Sequence, residues 1–325
     1  MDINVEPQYD VPLWNETRFH TCWNPEAGVG IYLHLGRFRA DLDLWWAQVG
    51  VYLPDRQLCV DRLWGRNLSR AGADIAGLHI EIGENGWTSS FEGVGELTSI
   101  DKLALAPRGA SAPSRAVRWE LSATPVAPVW NAYEGNAEAR IAHAGDMHIQ
   151  QAFQTTGWIR VGEQEYSLDG VGWSDHSSGV RDLSPEWKHH TFLLPVAPDW
   201  TAHMISMGTD AGETPWGTFF GRDGSRERLT QLAFPSLTDP AGGPVDSKLE
   251  FEISNGERFS YNVELLHAFP MTVTEDNDNI NGIDWDLPGD PLVLVEGIGR
   301  LTDGSGESFY CFHERTMRRS MLNKP

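Results

Sequence analysis

Residues 170–182 read Gly-Val-Gly-Trp-Ser-Asp-His-Ser-Ser-Gly-Val-Arg-Asp and gather Asp175, His176, Arg181 and Asp182 into eight positions. An acid, an imidazole, a guanidinium and a second acid this close can form a hydrogen-bonded cluster whose members set one another's pKa. Groups perturbed in this way concentrate at functional sites. The chemistry they could do is proton transfer, with His176 and one aspartate as the acid–base pair. The plain structural reading is a salt-bridge network pinning a joint between two sheets, with Arg181 bridging Asp175 or Asp182. If 172–178 is extended, Asp175 and Ser177 face one way and His176 and Ser178 the other. Gly179 then permits a turn or bulge that re-aims Arg181 and Asp182.

A second polar set lies near the C-terminus: Glu296 and Arg300, then His313 and Glu314. Alternation puts Glu296 and Arg300 on one strand face. They read either as cross-strand charge pairs or as further acids for the same cavity. His143 and His148 lie five apart, and His189 and His190 are adjacent. Neither pair has a zinc spacing, and adjacent strand residues point to opposite faces, so no metal is expected. The acidic run at 276–286 invites a calcium reading on Asn277, Asn279 and Asn281. Its twelfth position is Pro288, which supplies no carboxylate, so a surface loop is expected. No G-x-S-x-G, H-E-x-x-H, P-loop or G-x-G-x-x-G is present, so serine hydrolase, zinc protease and nucleotide-binding readings lack local support.

The elements that must position these groups read as strands almost throughout. Thirty-three glycines and 19 prolines punctuate short segments of alternating polarity. Strands are expected at 29–38, 42–53 and 57–63, then at 77–83, 86–92, 115–122, 147–153, 157–162, 189–196, 201–208, 216–221, 249–254, 259–265, 292–301 and 307–314. Short helical turns are expected near 97–104 and 227–232. A long connection is expected at 125–145, and an exposed loop at 235–247. Trp45–Arg56 and Trp216–Gly224 each run an aromatic strand into a turn. That faint echo is compatible with two similar β units.

Length and charge bound the partners. The 325 residues carry a net charge of −21, the opposite of what phosphate neutralisation needs, so nucleic acid and anionic membrane surfaces are not expected partners. No apolar run approaches the roughly 18 residues of a membrane helix. Cys22, Cys59 and Cys311 are odd in number and far apart, which favours a reducing compartment. The acidic N-terminus is unlike a signal peptide, so a cytoplasmic location is expected. The 14 tryptophans suit deep apolar cavities as well as cores.

The Gly-x-Gly-x-x-Asp-His-Ser-x-Gly-x-Arg-Asp run at 170–182 resembles the hallmark of the carotenoid 1,2-hydratase-like (CrtC-like, AttH-like) proteins. Trp14–Phe19 with Gly28–Gly36, the aromatic hairpin 45–56, Trp158–Val171 and Val295–Phe309 resemble other segments of that family. The resemblance implies an all-β fold of two lipocalin-like antiparallel barrel halves packed together, here expected as 1–165 and 166–325. Family members often carry Trp where this chain has Ser178, and Arg where it has Ser174. Serine leaves more space beside His176.

The family includes water addition to isoprenoid double bonds. The resemblance therefore implies a lyase or isomerase (hydratase, dehydratase or cyclase) working by acid–base chemistry, without a cofactor, on a lipophilic terpenoid, steroid or polyketide-like molecule. Asp175 or Asp182 is expected as proton donor, His176 as its partner or base, and Arg181 as orienting charge. Two crowded aspartates would keep one carboxyl protonated. Trp173, Trp45, Trp46, Trp187, Ser178 and Glu296 are expected to line the pocket, with indole faces steering a carbocation. The other reading is a lipophile-binding protein in which the Asp-His-Arg-Asp cluster is structural. A homodimer is compatible with either.

Overall fold

The computed structural model describes residues 3–107, 112–134, 145–182, 187–235, 247–274 and 278–323. The expected loop at 235–247, His143, Asp276 and Asn277 lie wholly or mainly outside the described residues. Alternating polarity with frequent β-branched and aromatic residues produces strands nearly everywhere. One sheet contains β1 (Trp14–Asn24), β2 (Val29–Arg37), β3 (Leu44–Leu53), β4 (Gln57–Arg66), β5 (Gly72–Ile75), β6 (Leu78–Gly83), β7 (Gly86–Ser99), β8 (Ser114–Pro125), β9 (Trp130–Asn131), β10 (Met147–Val161), β11 (Gln164–Ser167) and β12 (Gly170–Val180). The other contains β13 (Trp187–Val196), β14 (Trp200–Thr209), β15 (Gly212–Gly221), β16 (Arg226–Ala233), β17 (Ser247–Ile253), β18 (Arg258–Thr272), β19 (Ile280–Asn281), β20 (Leu292–Thr302) and β21 (Ser308–Arg318).

Both sheets close. In the first, β12 pairs with β1, and β8 meets both β7 and β10. The ring β1-β2-β3-β4-β7-β8-β10-β12 is therefore an eight-stranded antiparallel barrel. In the second, β13 meets β21 and β17 meets β18. The pairings β13-β14-β15-β16-β17-β18-β20-β21 likewise return on themselves. Closure removes the exposed edges that a long sheet would otherwise present. The first core is aliphatic with indoles, among them Leu33, Leu35, Ala47, Val49, Trp87 and Phe153. The second gathers Leu193, Met204, Trp200, Phe219, Phe251 and Cys311.

Two compact units follow the sheets. One comprises Met1–Ser99, Gly109–Asp182 and Glu275–Asn279, and the other Ile100–Arg108, Leu183–Thr274 and Ile280–Pro325. A junction near 165 would fall in β11. β12 lies beyond it yet pairs with β1 and β10, which carries the first unit through Asp182. The helical turn expected near 97–104 is α1 (Ile100–Leu105), which belongs to the second unit. There, Leu103 O and Ala104 O accept bonds from Ile283 N at 2.7 Å and Trp285 Nε1 at 2.8 Å. The turn expected at 227–232 is a strand instead. Leu229 and Leu232 of β16 pair with Ile253 and Phe251 of β17, and the ladder outweighs a weak local helical preference.

Candidate functional site

β12 runs between β1 and β10, and its register decides where the motif points. Asp175 lies opposite Phe19 and Gln150, whereas His176 lies opposite Arg18 and Ile149. Arg18 is in turn opposite Leu35 of the core, so His176 shares the inner face of the barrel. Asp175 shares the outer face with Phe19, His34 and Gln48. The pleat thus separates the acid from the imidazole beside it, as alternation predicts. Asp175 and His176 therefore each meet a different partner rather than one another.

On the outer face, Asp175 Oδ2 is hydrogen-bonded to His148 Nε2 and accepts a bond from Gln150 Nε2 at 3.0 Å. Burial pushes the Asp175 carboxyl up. The His148 imidazole, the Gln150 amide and the Arg181 guanidinium more than reverse this, and it titrates below its ordinary value. In this setting Asp175 accepts from Gln150 and meets the His148 imidazole, not that of His176. Arg181 donates to Thr17 Oγ1 at 3.1 Å and to Ser177 Oγ. His34 packs edge-on against Trp46, ring centroids 5.0 Å apart, and burial with the Arg181 charge pushes it down to about 3.

On the inner face, His176 Nε2 donates to Glu16 Oε1 at 2.9 Å. Glu16 Oε2 accepts from Arg37 Nε at 2.8 Å, and Oε1 also accepts the Val5 N–H at 2.8 Å. Burial raises the Glu16 carboxyl. The bonds from His176, Arg37 and Val5 outweigh it, and its pKa is lowered. An ionised carboxylate that orients an imidazole and stabilises its protonated form is the arrangement of acid–base dyads. Beside it lies a cavity of about 180 Å³, lined by His176, Ser174, His20, Trp87, Phe153 and Ile149 among others. His20 meets Trp87 edge-on at 4.9 Å. The cavity has one imidazole with a fixed anionic partner and mainly apolar walls, so it can exchange a proton with an enclosed apolar group.

The other expected residues are dispersed. Trp45 faces inward under the Arg37 guanidinium, 4.6 Å from its ring centroid, while Trp46 faces outward to His34. Trp173 is fully buried on the outer face, opposite Thr21 and Ala152. Ser178 is buried opposite Glu16. Asp182 follows β12 and is half-buried. None of these five lines the cavity that His176 and Ser174 share. Gly179, at φ 125°, stays within β12 opposite Asn15 with no break in register, so the expected turn or bulge is absent there; a Cβ would stand 2.2 Å from Asp146 N. Trp187 and Glu296 belong to the second unit. Trp187 stacks on His190 at 5.1 Å, and Glu296 lies opposite Glu314 and Phe269. Arg300 pairs with Glu264, not with Glu296. His189 and His190 do face opposite ways, toward Glu213 and Glu314 respectively. Among the described residues, no group of three or more His, Cys, Asp and Glu could hold a metal ion. No helix among them is long and apolar enough to cross a membrane.

Nothing in the sequence alone marks Glu16, His20, Arg37 or Trp87, and His148 stands out there only as half of a histidine pair without zinc spacing. Glu16 does lie in Trp14–Phe19, a segment that carries the family resemblance.

Residues 2–283 match a family described as a domain of unknown function, DUF7064. No curated protein matches the chain. Among solved structures, a protein described as an AttH from Nitrosomonas europaea aligns with a TM-score of 0.63 at 13% identity, over 93% of this chain and 92% of its own. CghA aligns at 0.56 and 12% identity, over 97% of this chain and 90% of its own. CghA with Sch210972 gives 0.55 and 11% over the same shares. At these identities the likeness is one of fold, and the fold is the expected lipocalin-like one.

Proposed function

The chain belongs to the DUF7064 family and has the lipocalin-like fold of the carotenoid hydratase-like and AttH-like proteins, and from that premise we propose that it is an acid–base lyase or isomerase working in the cavity of its first barrel. One observation carries the reading: the His176–Glu16 pair, 2.9 Å apart, at the wall of a mainly apolar cavity. His176 is the general acid and base. It gives its proton to a leaving hydroxyl or to an alkene carbon, and takes one from water or from carbon in the return step. Glu16 is a positioning residue that stabilises the imidazolium, and Arg37 holds Glu16 in place. The Trp87 face offers cation–π attraction to a developing carbocation. This chemistry needs no cofactor.

Cavity size narrows the expected lipophilic substrate. An apolar cavity of about 150 Å³ holds a benzene molecule. One of about 180 Å³ admits a single ring or a prenyl-sized end, not a whole steroid. The substrate is therefore a lipophile that inserts one terminal group, the remainder staying outside.

A second reading, binding without turnover, is favoured by the saturation of Glu16. The same carboxylate ties down Val5, and Arg37 donates to Val5 O at 3.0 Å and to Leu42 O at 2.6 Å, so the network also closes one end of the barrel. The test separates the two. Ring-bearing and prenyl-bearing alkenes, alcohols and enones are incubated with the protein in D2O, and NMR follows deuterium uptake, water addition or water loss. Turnover should fall by about 10²–10⁴-fold in His176→Ala while circular dichroism is unchanged. Saturable binding with no turnover in the native protein would leave the binding reading standing.

A further inference from the structure

The second barrel holds a polar group of residues that nothing in the proposed reaction uses. On β21, His313 and Arg315 lie on the same face as Cys311, and on β13, His189 and Thr191 lie on the same face as Leu193. Cys311 and Leu193 belong to the barrel core. Thr191 stands directly opposite Arg315, and Leu193 opposite His313. The set is electrically one: the Arg315 charge depresses both His189 and His313, and Glu213 acts on both His189 and Arg315. It also runs inward from solvent. The Glu213 side chain is 63% exposed, His189 12%, and whole-residue exposure falls to 8% at Arg315 and 2% at His313. The His189 ring lies over Gly208, where a Cβ would stand 2.2 Å from its Nε2, so glycine there leaves the ring its place.

These groups are short of partners. Both ring nitrogens of His313, Nδ1 of His189 and Nε of Arg315 are buried with no hydrogen-bond partner. Arg315 spends one N–H on Pro235 O at 2.9 Å. A buried guanidinium edge and a buried imidazole without partners are costly unless something completes them. What completes them must accept from Arg315 and meet a neutral imidazole two residues away. We infer that this end of the second barrel binds a small monocarboxylate, its oxygens on Arg315 and its body against His313. One buried cation, with the Glu213 carboxylate at the rim, offsets a single negative charge better than a dianion. Arg315 follows the acid opposite Phe192, as His176 follows the acid opposite Phe19, so it holds the equivalent inward position of the second barrel.

The test uses the full chain with sodium acetate as probe and sodium phosphate as the competing anion, at constant ionic strength. Histidine Cε1–H resonances are followed by NMR, and thermal melting is read in parallel. Acetate should shift one histidine signal saturably and raise the melting temperature by mass action, where sodium chloride does neither. The acetate dissociation constant should rise about tenfold in Arg315→Lys, which keeps the charge and loses the fork. If that variant does not fold, His189→Gln at the mouth should weaken acetate severalfold. Absence of a saturable shift at about 100 mM acetate, which would leave only ordered water in the site, overturns the inference. So does an unchanged affinity in the folded variant, or phosphate binding as tightly as acetate.

Discussion

The two barrels are built alike and finished differently. Each is an eight-stranded meander in which the first strand meets the last. In each, a phenylalanine of the first strand faces a buried acid of the last: Phe19 faces Asp175, and Phe192 faces Glu314. Each acid is bonded to an imidazole, His148 or His190. The echo between Trp45–Arg56 and Trp216–Gly224 falls on the third strand of each ring, β3 and β15. The shared topology and register favour a duplicated barrel. The difference lies one residue past the acid, on the inner face. There the first barrel sets a histidine against a carboxylate, His176 and Glu16. The second sets a guanidinium near a histidine, Arg315 and His189. One backbone position thus carries an imidazole in one barrel and a guanidinium in the other.

Filling differs as well. In the second barrel Trp200 sits among Phe219, Phe251, Phe259, Tyr261 and Phe309, with ring centroids 5.1–5.9 Å away. In the first, Trp87 borders the 180 Å³ cavity. Truncation should separate them, and this is the largest stability effect expected. Trp200→Ala opens a void among rigid rings and should cost about 3–5 kcal/mol. Trp87→Ala enlarges a space that exists, removes fewer contacts and should fall below that range. Urea unfolding midpoints at constant slope read the difference. Equal losses would mean that the first barrel is as tightly filled as the second.

Much of this architecture was legible in the chain. Alternation located β2 and β3 closely and split Asp175 from His176 correctly, because the pleat has a fixed period. The partners were not legible. His148 reaches Asp175 from β10, and Glu16 reaches His176 from β1, 160 positions away in sequence. Barrel closure sets the β1–β12 register and the β10–β12 pairing sets the other, and no local pattern encodes either. Trp45 and Trp46 look like a paired aromatic wall, yet the same alternation sends these adjacent β3 residues to opposite sides of the sheet. The 227–232 segment shows the reverse limit. Its leucines fit a helical turn and a strand equally well until β17 supplies a ladder.

Acid should act on the second barrel through His313, an effect of intermediate size. Burial and the Arg315 charge push this imidazole down to about 3. The unfolded chain takes up a proton near pH 6.5 while the folded one does not. Stability is fully present above pH 6.5 and is lost as pH falls toward the folded value, at about 1.4 kcal/mol per pH unit. His34 in the first barrel adds a like share, whereas the lowered carboxylates Glu16 and Asp175 hold their contribution until the pH drops below the ordinary carboxylate range. Denaturation between pH 7 and 5 should show the slope, and His313→Gln should remove its portion. An unchanged slope in that variant would mean that His313 is already satisfied in solution.

The smallest expected stability effect is at Ser174, and it bears most directly on the contrast between an open and a filled barrel. Ser174 lies opposite His20 of β1 and Gln151 of β10 and lines the cavity beside His176. The related family often places a large arginine at this position, which would occupy that space. Ser174→Val adds apolar atoms where there is room and removes a hydroxyl, so stability should change by less than about 1 kcal/mol. Binding of a ring or prenyl group should suffer much more. Because the valine competes for ground-state and transition-state space alike, KM should rise while kcat changes little. A fall in kcat at constant KM would instead mean that Ser174 acts on the proton transfer itself. No change in either would place the reacting group elsewhere than in this cavity.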